Sequence, residues 1–147
     1  MSGAAPVAVE RALGLDVGSA RVGVAATDPT GTLASPVAVL PRRNPAELWS
    51  RLHLEVTDRE VRLLVVGLPR LLDGSEGEAA SDARAFAAAA ERELGIPAVM
   101  WDERLTTVQA ERALISAGLR RRRRRQTIDS VAASLMLQNW LDFQHRS

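Results

Sequence analysis

A chain of 147 residues, 46% of them hydrophobic, has the length and composition of one ordinary globular domain. The absence of cysteine excludes disulfides, thiol catalysis and thiolate metal sites, and two histidines, His53 and His145, argue against a zinc enzyme, which leaves oxygen ligands for any metal. The net charge of +1 conceals an asymmetry: all nineteen basic residues are arginine and six of them form one block, so the rest of the chain sets 13 arginines against 18 acids.

In chain order, residues 1–10 carry neither a basic start nor a long apolar run, and nowhere do about eighteen apolar residues follow one another. The expectation is a cytoplasmic protein without a membrane segment, folded as a single domain over residues 1–147, with 1–10 as a flexible extension. The first strand is apolar at Ala12, Leu13, Leu15 and Val17 but is interrupted by Asp16, and a buried unpaired charge costs several kcal/mol. Gly18, Ser19, Ala20, Arg21 and Gly23 then allow a tight turn into a second apolar run, Val22 to Ala26, so the pair reads as a hairpin that delivers one acid to an open rim. Arg21 across the hairpin and the amides of the turn are candidate partners for Asp16, and so is a bound cation.

Thr32 to Leu40 is predicted as a third strand, and Pro45 to Glu60 as a helix with Leu48, Leu52 and Val56 on one face. Leu63 to Gly67 is a short continuous apolar run, which suits a parallel strand buried on both faces. A loop from Arg70 to Glu78, an alanine-rich helix from Ala79 to Leu94 and a strand from Ala98 to Trp101 follow. Thr106 and Gln109 form a capping box for a helix ending at Gly118, and an arginine loop bridges to a last helix from Thr127 to Phe143. Three hairpin strands followed by alternating helices and strands describe an α/β sandwich with a mixed five-stranded sheet.

Two further acids fall where such a sheet places its sites. Asp102 and Glu103 directly follow the strand Ala98–Trp101, at the carboxyl end of the sheet. Strand alternation groups Glu103 with Val99 and Trp101, and Asp102 with Ala98 and Met100, so only one of the two can face Asp16; the alternative is a solvated loop paired to Arg104. Asp129 lies in the first turn of the last predicted helix, with Ala132, Ala133, Met136 and Leu137 behind it as an apolar stripe. Three carboxylates converging in this way would suit Mg²⁺ or Mn²⁺, hard cations that prefer oxygen ligands, and point to a metal-dependent phosphodiesterase centre.

The arginine block Arg120, Arg121, Arg122, Arg123, Arg124 and Arg125 either contacts the phosphates of a nucleic acid, onto which arginine can fork two donors, or is a solvated loop in an arginine-biased chain. Arg21 could likewise hold a nonscissile phosphate or close a hairpin salt bridge, and Gly67, Asp73 and Gly74 could shape the neighbouring rim loop, unless Asp73 simply caps a turn with Gly74. Trp140 and Leu141 on the last helix are candidates for a homodimer surface or for core residues.

Four segments in order, GLDVGSARVGVAATD (Gly14–Asp28), VVGLPRLLDGSEG (Val65–Gly77), DERLTTVQAERAL (Asp102–Leu114) and IDSVAASLMLQNWL (Ile128–Leu141), resemble the YqgF family. That family is similar to the RuvC-type Holliday junction resolvases of the ribonuclease H-like superfamily. The resemblance runs from about Arg11 to Phe143. It implies a ribonuclease H-like α/β fold with helices on both faces of the sheet, catalytic and metal-binding acids at Asp16, Glu103 and Asp129, and a nucleic-acid substrate. That substrate would be precursor ribosomal RNA, with branched DNA cut by a homodimer as the alternative. Many relatives mix lysine and arginine in the basic segment; this chain has arginine alone, which excludes a general-acid lysine there. A two-domain ATPase with a similar acid-glycine hairpin needs a duplicated fold for which this chain has no room. A noncatalytic nucleic-acid-binding module would leave the three acids unexplained.

Overall fold

The computed structural model describes residues 11–105 and 121–146, and for Leu105 and residues 121–129 the description is of the backbone alone. The expected flexible extension at 1–10 and the expected helix from Thr106 to Gly118 lie outside the described residues. The elements are β1 (Ala12–Val17), β2 (Arg21–Thr27), β3 (Ala34–Pro41), α1 (Pro45–Asp58), β4 (Leu63–Leu68), α2 (Glu78–Leu94), β5 (Ala98–Asp102), a single 3₁₀ turn (Glu103–Leu105) and α3 (Arg121–Arg146).

The sheet has the order β3-β2-β1-β4-β5, antiparallel from β3 to β1 and parallel from β1 to β5. Each face has its own core. On one face Leu13, Leu15, Val22, Val24, Leu64 and Val66 pack against Leu48 and Leu52 of α1 and Ala83, Phe86 and Ala90 of α2. On the other, Ala12, Ala25, Val65 and Trp101 pack against Ala132, Ala133, Met136, Leu137, Trp140 and Leu141 of α3. Burial on both faces is why β4 reads as a continuous apolar run rather than an alternating one.

Local chemistry sets the element ends. Asp28 Oδ1 accepts the N–H groups of Thr32 and Leu33 at 2.8 and 3.2 Å, which holds Thr32 in a turn, so β3 begins at Ala34 rather than Thr32. Asn44 Oδ1 accepts the N–H of Glu47 at 3.2 Å and Pro45 opens the helix, a start that needs no tertiary help. Glu60, with φ 55°, has left the helical region, so α1 stops at Asp58 and not at Glu60. The largest difference from expectation is α3: it begins at Arg121, so Arg121 to Arg125 are helical and not a bridging loop. Arginine is a strong helix former, and neither glycine nor proline separates the block from Thr127.

Helix α3 lies close on the sheet because β1 has no side chain at Gly14. A Cβ placed there would lie 3.0 Å from Leu137 Cβ and 3.4 Å from the Ala133 carbonyl oxygen. The Gln138 side chain fastens the helix to the edge of the sheet, accepting from Ala34 N–H at 2.9 Å and donating to the Thr32 carbonyl at 3.0 Å. Trp140 and Leu141, at 7% and 3% exposure, are core residues of this layer, which removes them as a dimer surface. Gly14→Ala should therefore overpack the α3 layer and cost roughly 1 to 3 kcal/mol. The expected readout is a lower denaturant midpoint with an unchanged slope.

Candidate active site and metal centre

The parallel ladder brings two of the sequence-predicted acids, Asp16 and Glu103, to one end of the sheet. Leu15 pairs with Val66, so Asp16 comes level with Gly67 on the neighbouring strand, and Gly67 in turn pairs with Trp101. Neighbouring strands run about 4.8 Å apart. Gly14 faces α3, and strand alternation turns Asp16 to the same face, where it is half-buried.

Glu103 reaches this point from β5. Beyond Trp101, which is packed under α3, the chain enters the 3₁₀ turn and the Glu103 side chain folds back over β4. A Cβ on Gly67 would lie 2.8 Å from Glu103 Oε1, closer than real contacts permit, so the bare backbone of Gly67 is what admits the carboxylate. Glu103 is 8% exposed, a buried acid over an apolar sheet. A buried carboxylate demands a positive or hydrogen-bonding partner.

Asp102 has gone the other way. Its Oδ1 accepts the Arg104 N–H at 2.9 Å, its Oδ2 accepts Arg104 Nη2 at 2.9 Å, and Arg70 Nε stands 3.5 Å from the same oxygen. The hydrogen bond from the Arg104 guanidinium holds the Asp102 carboxyl below the usual carboxylate range, against the opposing effect of burial. The pairing to Arg104 thus applies to Asp102, though at the half-buried end of β5 and not in a solvated loop, and Glu103 is the acid that shares the face of Asp16.

Of the other candidates, Arg21 starts β2 on the Asp16 side of the sheet, two residues before Gly23, the register partner of Asp16. Asp129 lies in the backbone of α3 one turn before Ala133, whose carbonyl approaches Gly14; its side chain is outside the described residues. So are the side chains of Arg121 to Arg125, and all of Arg120. Asp73 behaves as a turn cap, accepting the N–H and Oγ–H of Ser75 at 2.9 and 2.6 Å, and the adjacent Gly74 (φ 89°) leaves room for Arg104. Among the described residues no three of His, Cys, Asp and Glu form a metal-holding group. The proposed set includes Asp129.

Sequence reasoning missed the arginine ion pairs that brace the elements behind the site. Arg70 stands 3.6 Å from Glu76 as well as near Asp102, and Arg84 forks onto Glu76 with two hydrogen bonds of 2.7 Å. Arg42 pairs with Asp82 across forty residues, a separation at which no local pattern signals a pair.

Comparison with known proteins gives concordant results. Residues 10–143 match the model of the RuvX family, described as Holliday junction resolvase. A Moorella thermoacetica protein named "Putative pre-16S rRNA nuclease" is 49% identical over 132 residues, covering 90% of this chain and 94% of its own. A protein of the same name from Lachnospira eligens is 39% identical, covering 92% and 99%. Among solved structures, Thermus thermophilus RuvC in complex with Holliday junction substrate superposes with a TM-score of 0.56 at 13% identity, covering 92% of this chain and 96% of that one. At that identity the likeness is one of fold, and it bears out the ribonuclease H-like α/β sheet. No helix among the described residues is long and apolar enough to cross a membrane.

The Asp102 pairing has a pH signature. Its folded carboxyl titrates below the unfolded value, so the stability it contributes is present above the ordinary aspartate range and is lost as pH falls through the lower folded value. Asp102→Asn should lower the denaturant midpoint at neutral pH and have a progressively smaller effect as the buffer is taken below about pH 4.

Proposed function

The chain belongs to the RuvX family, and from that premise we propose that it is a divalent-metal-dependent endonuclease that cuts the phosphodiester backbone of precursor 16S ribosomal RNA. The observation that carries the substrate is the set of relatives 39 to 49% identical, matching nearly end to end, that bear the name "Putative pre-16S rRNA nuclease". Such an enzyme would work in the cytoplasm.

In this reading Asp16, Glu103 and Asp129 hold Mg²⁺ or Mn²⁺. The chemistry of the donor set supports it: carboxylate oxygens suit hard cations, and the two described carboxylates share one sheet face at the carboxyl ends of parallel strands. When bound, the metal would polarise a phosphoryl oxygen and lower the pKa of an attacking water. The remaining steps belong to the chain. Glu103, confined above Gly67, keeps its carboxylate in one place before substrate arrives, and Arg21 on the same face offers donors to a nonscissile phosphate. Arg120 to Arg125 supply charge for the polynucleotide backbone.

A second reading, resolution of four-way DNA junctions, is favoured by the description of the matching family model. Symmetric resolution needs two active sites on opposing strands and hence a two-fold dimer, whereas cutting an RNA precursor can use one. Cleavage of a ribosomal precursor transcript and of an immobile four-way junction by the full-length protein, alongside sedimentation, decides between them. A dimer that nicks the junction symmetrically and leaves the transcript intact overturns the ribosomal assignment.

Two variants test the site. Asp16→Asn should abolish cleavage while the protein stays folded, because asparagine nearly matches aspartate in shape but not in charge. Gly67→Ala should displace Glu103 and lower cleavage at least tenfold, with a stability change of about 1 kcal/mol or less, because the atom it strikes is the far end of a flexible side chain. Full activity of Asp16→Asn, or of the wild type in chelator, rules out this metal centre; full activity of Gly67→Ala removes the role given to the bare backbone of Gly67.

Replacing Arg120 to Arg125 with glutamine should weaken nucleic-acid binding and flatten the dependence of log affinity on log salt by roughly 0.7 to 0.9 for each phosphate that is no longer neutralised. An unchanged slope would make the block a solvated helix end.

A further inference from the structure

The hairpin that carries Asp16 is gripped at its turn by one arginine. Arg42 directly follows β3, and its backbone N–H donates to the Ala20 carbonyl at 3.0 Å while its Nη1 donates to the Gly18 carbonyl at 2.7 Å. The same guanidinium forks onto Asp82 of α2, Nη1 to Oδ2 at 2.6 Å and Nη2 to Oδ1 at 3.1 Å. It also lies over the Phe86 ring, 5.3 Å from the centroid, and Phe86 stacks on Trp49 of α1 at 5.1 Å. One side chain thus joins the β1–β2 turn to α2, and Phe86 carries the contact on to α1.

The turn is closed by its own backbone bond, Gly18 N–H to the Arg21 carbonyl at 2.8 Å, and the guanidinium adds a second hold. Ser19 and Ala20 both keep negative φ, so this is not the primed turn whose twist matches two antiparallel strands. A cleft of about 760 Å³ lies between the turn and α2, lined by Val17, Gly18, Ser19, Arg42, Glu78 and Asp82 among others, and the guanidinium bonds to both sides of it. The fork from Arg42 holds the Asp82 carboxyl below its usual range, so the pair stays charged at neutral pH. A planar fork fixes direction as well as distance, which a lysine ammonium would not do.

We propose that Arg42, aimed by Asp82, is a positioning residue for the active site: by fixing the Gly18 carbonyl its guanidinium holds the strand end that presents Asp16, from the sheet face opposite to the carboxylate. The proposal rests on the metal-centre reading above. Supporting groups behind metal ligands commonly alter metal affinity or activity by 10- to 100-fold.

The test uses the full-length protein with Arg42→Lys, which keeps the charge and loses the fork, and with Asp82→Asn, a change at a half-exposed side chain that should leave the fold intact. Mn²⁺ binding is read by calorimetry, and cleavage is separated into kcat and KM. The expected result is Mn²⁺ binding weakened roughly tenfold in both variants and kcat lowered at saturating metal, with KM for nucleic acid within about twofold of wild type. Asp16→Asn is the control. If it leaves Mn²⁺ binding unchanged, the metal-centre reading fails first. If it removes binding while Arg42→Lys and Asp82→Asn bind Mn²⁺ and turn over like wild type, the positioning role fails and the metal centre stands. A rise in KM alone also overturns the proposal, because it places Arg42 on the nucleic acid.

Discussion

The register of the parallel ladder β1–β4–β5 is the constraint on which the rest depends. These strands are buried on both faces, so a slip of one residue would exchange the residues of the two cores and expose neither set to water without cost. With Leu15 against Val66 and Gly67 against Trp101, the carboxyl ends of three strands become level. Asp16 then occupies this end of the sheet directly from β1, and Glu103 needs only the single 3₁₀ turn after β5 to reach the same face.

Two missing side chains complete that arrangement. Gly14 lets α3 settle on β1, and Gly67 lets Glu103 fold back over β4. In both cases close approach is the reason for glycine, since neither residue has a positive φ. The neighbours Asp102 and Glu103 show how much environment decides. One is drawn outward by Arg104 and Arg70, while the other is buried over bare backbone. A chain whose only basic side chain is arginine uses the planar fork repeatedly, at Asp82 and at Glu76, to tie loops and helices around this end of the sheet.

Where the structure departs from expectation, each departure has a local cause. The start of β3 moved because an aspartate captured two turn amides, and α1 ended early at a left-handed glutamate. A run of arginines reads as a loop if charge alone is considered, but helix propensity carried α3 back to Arg121. Trp140 and Leu141 could be assigned to core or interface only once it was known that α3 covers a whole sheet face.

By itself the sequence determined the α/β class, the five strands and the candidate acids, because hydrophobic period and turn residues are local signals and a carboxylate in an apolar strand stands out against its neighbours. The four ordered motifs determined the family. Only the tertiary structure decided which of two adjacent acids turns inward, why Gly67 must lack a side chain, and that Arg42 spans turn and helix to hold the hairpin. Those interactions join residues up to forty positions apart, and their existence depends on strand register and helix docking, which no local pattern encodes.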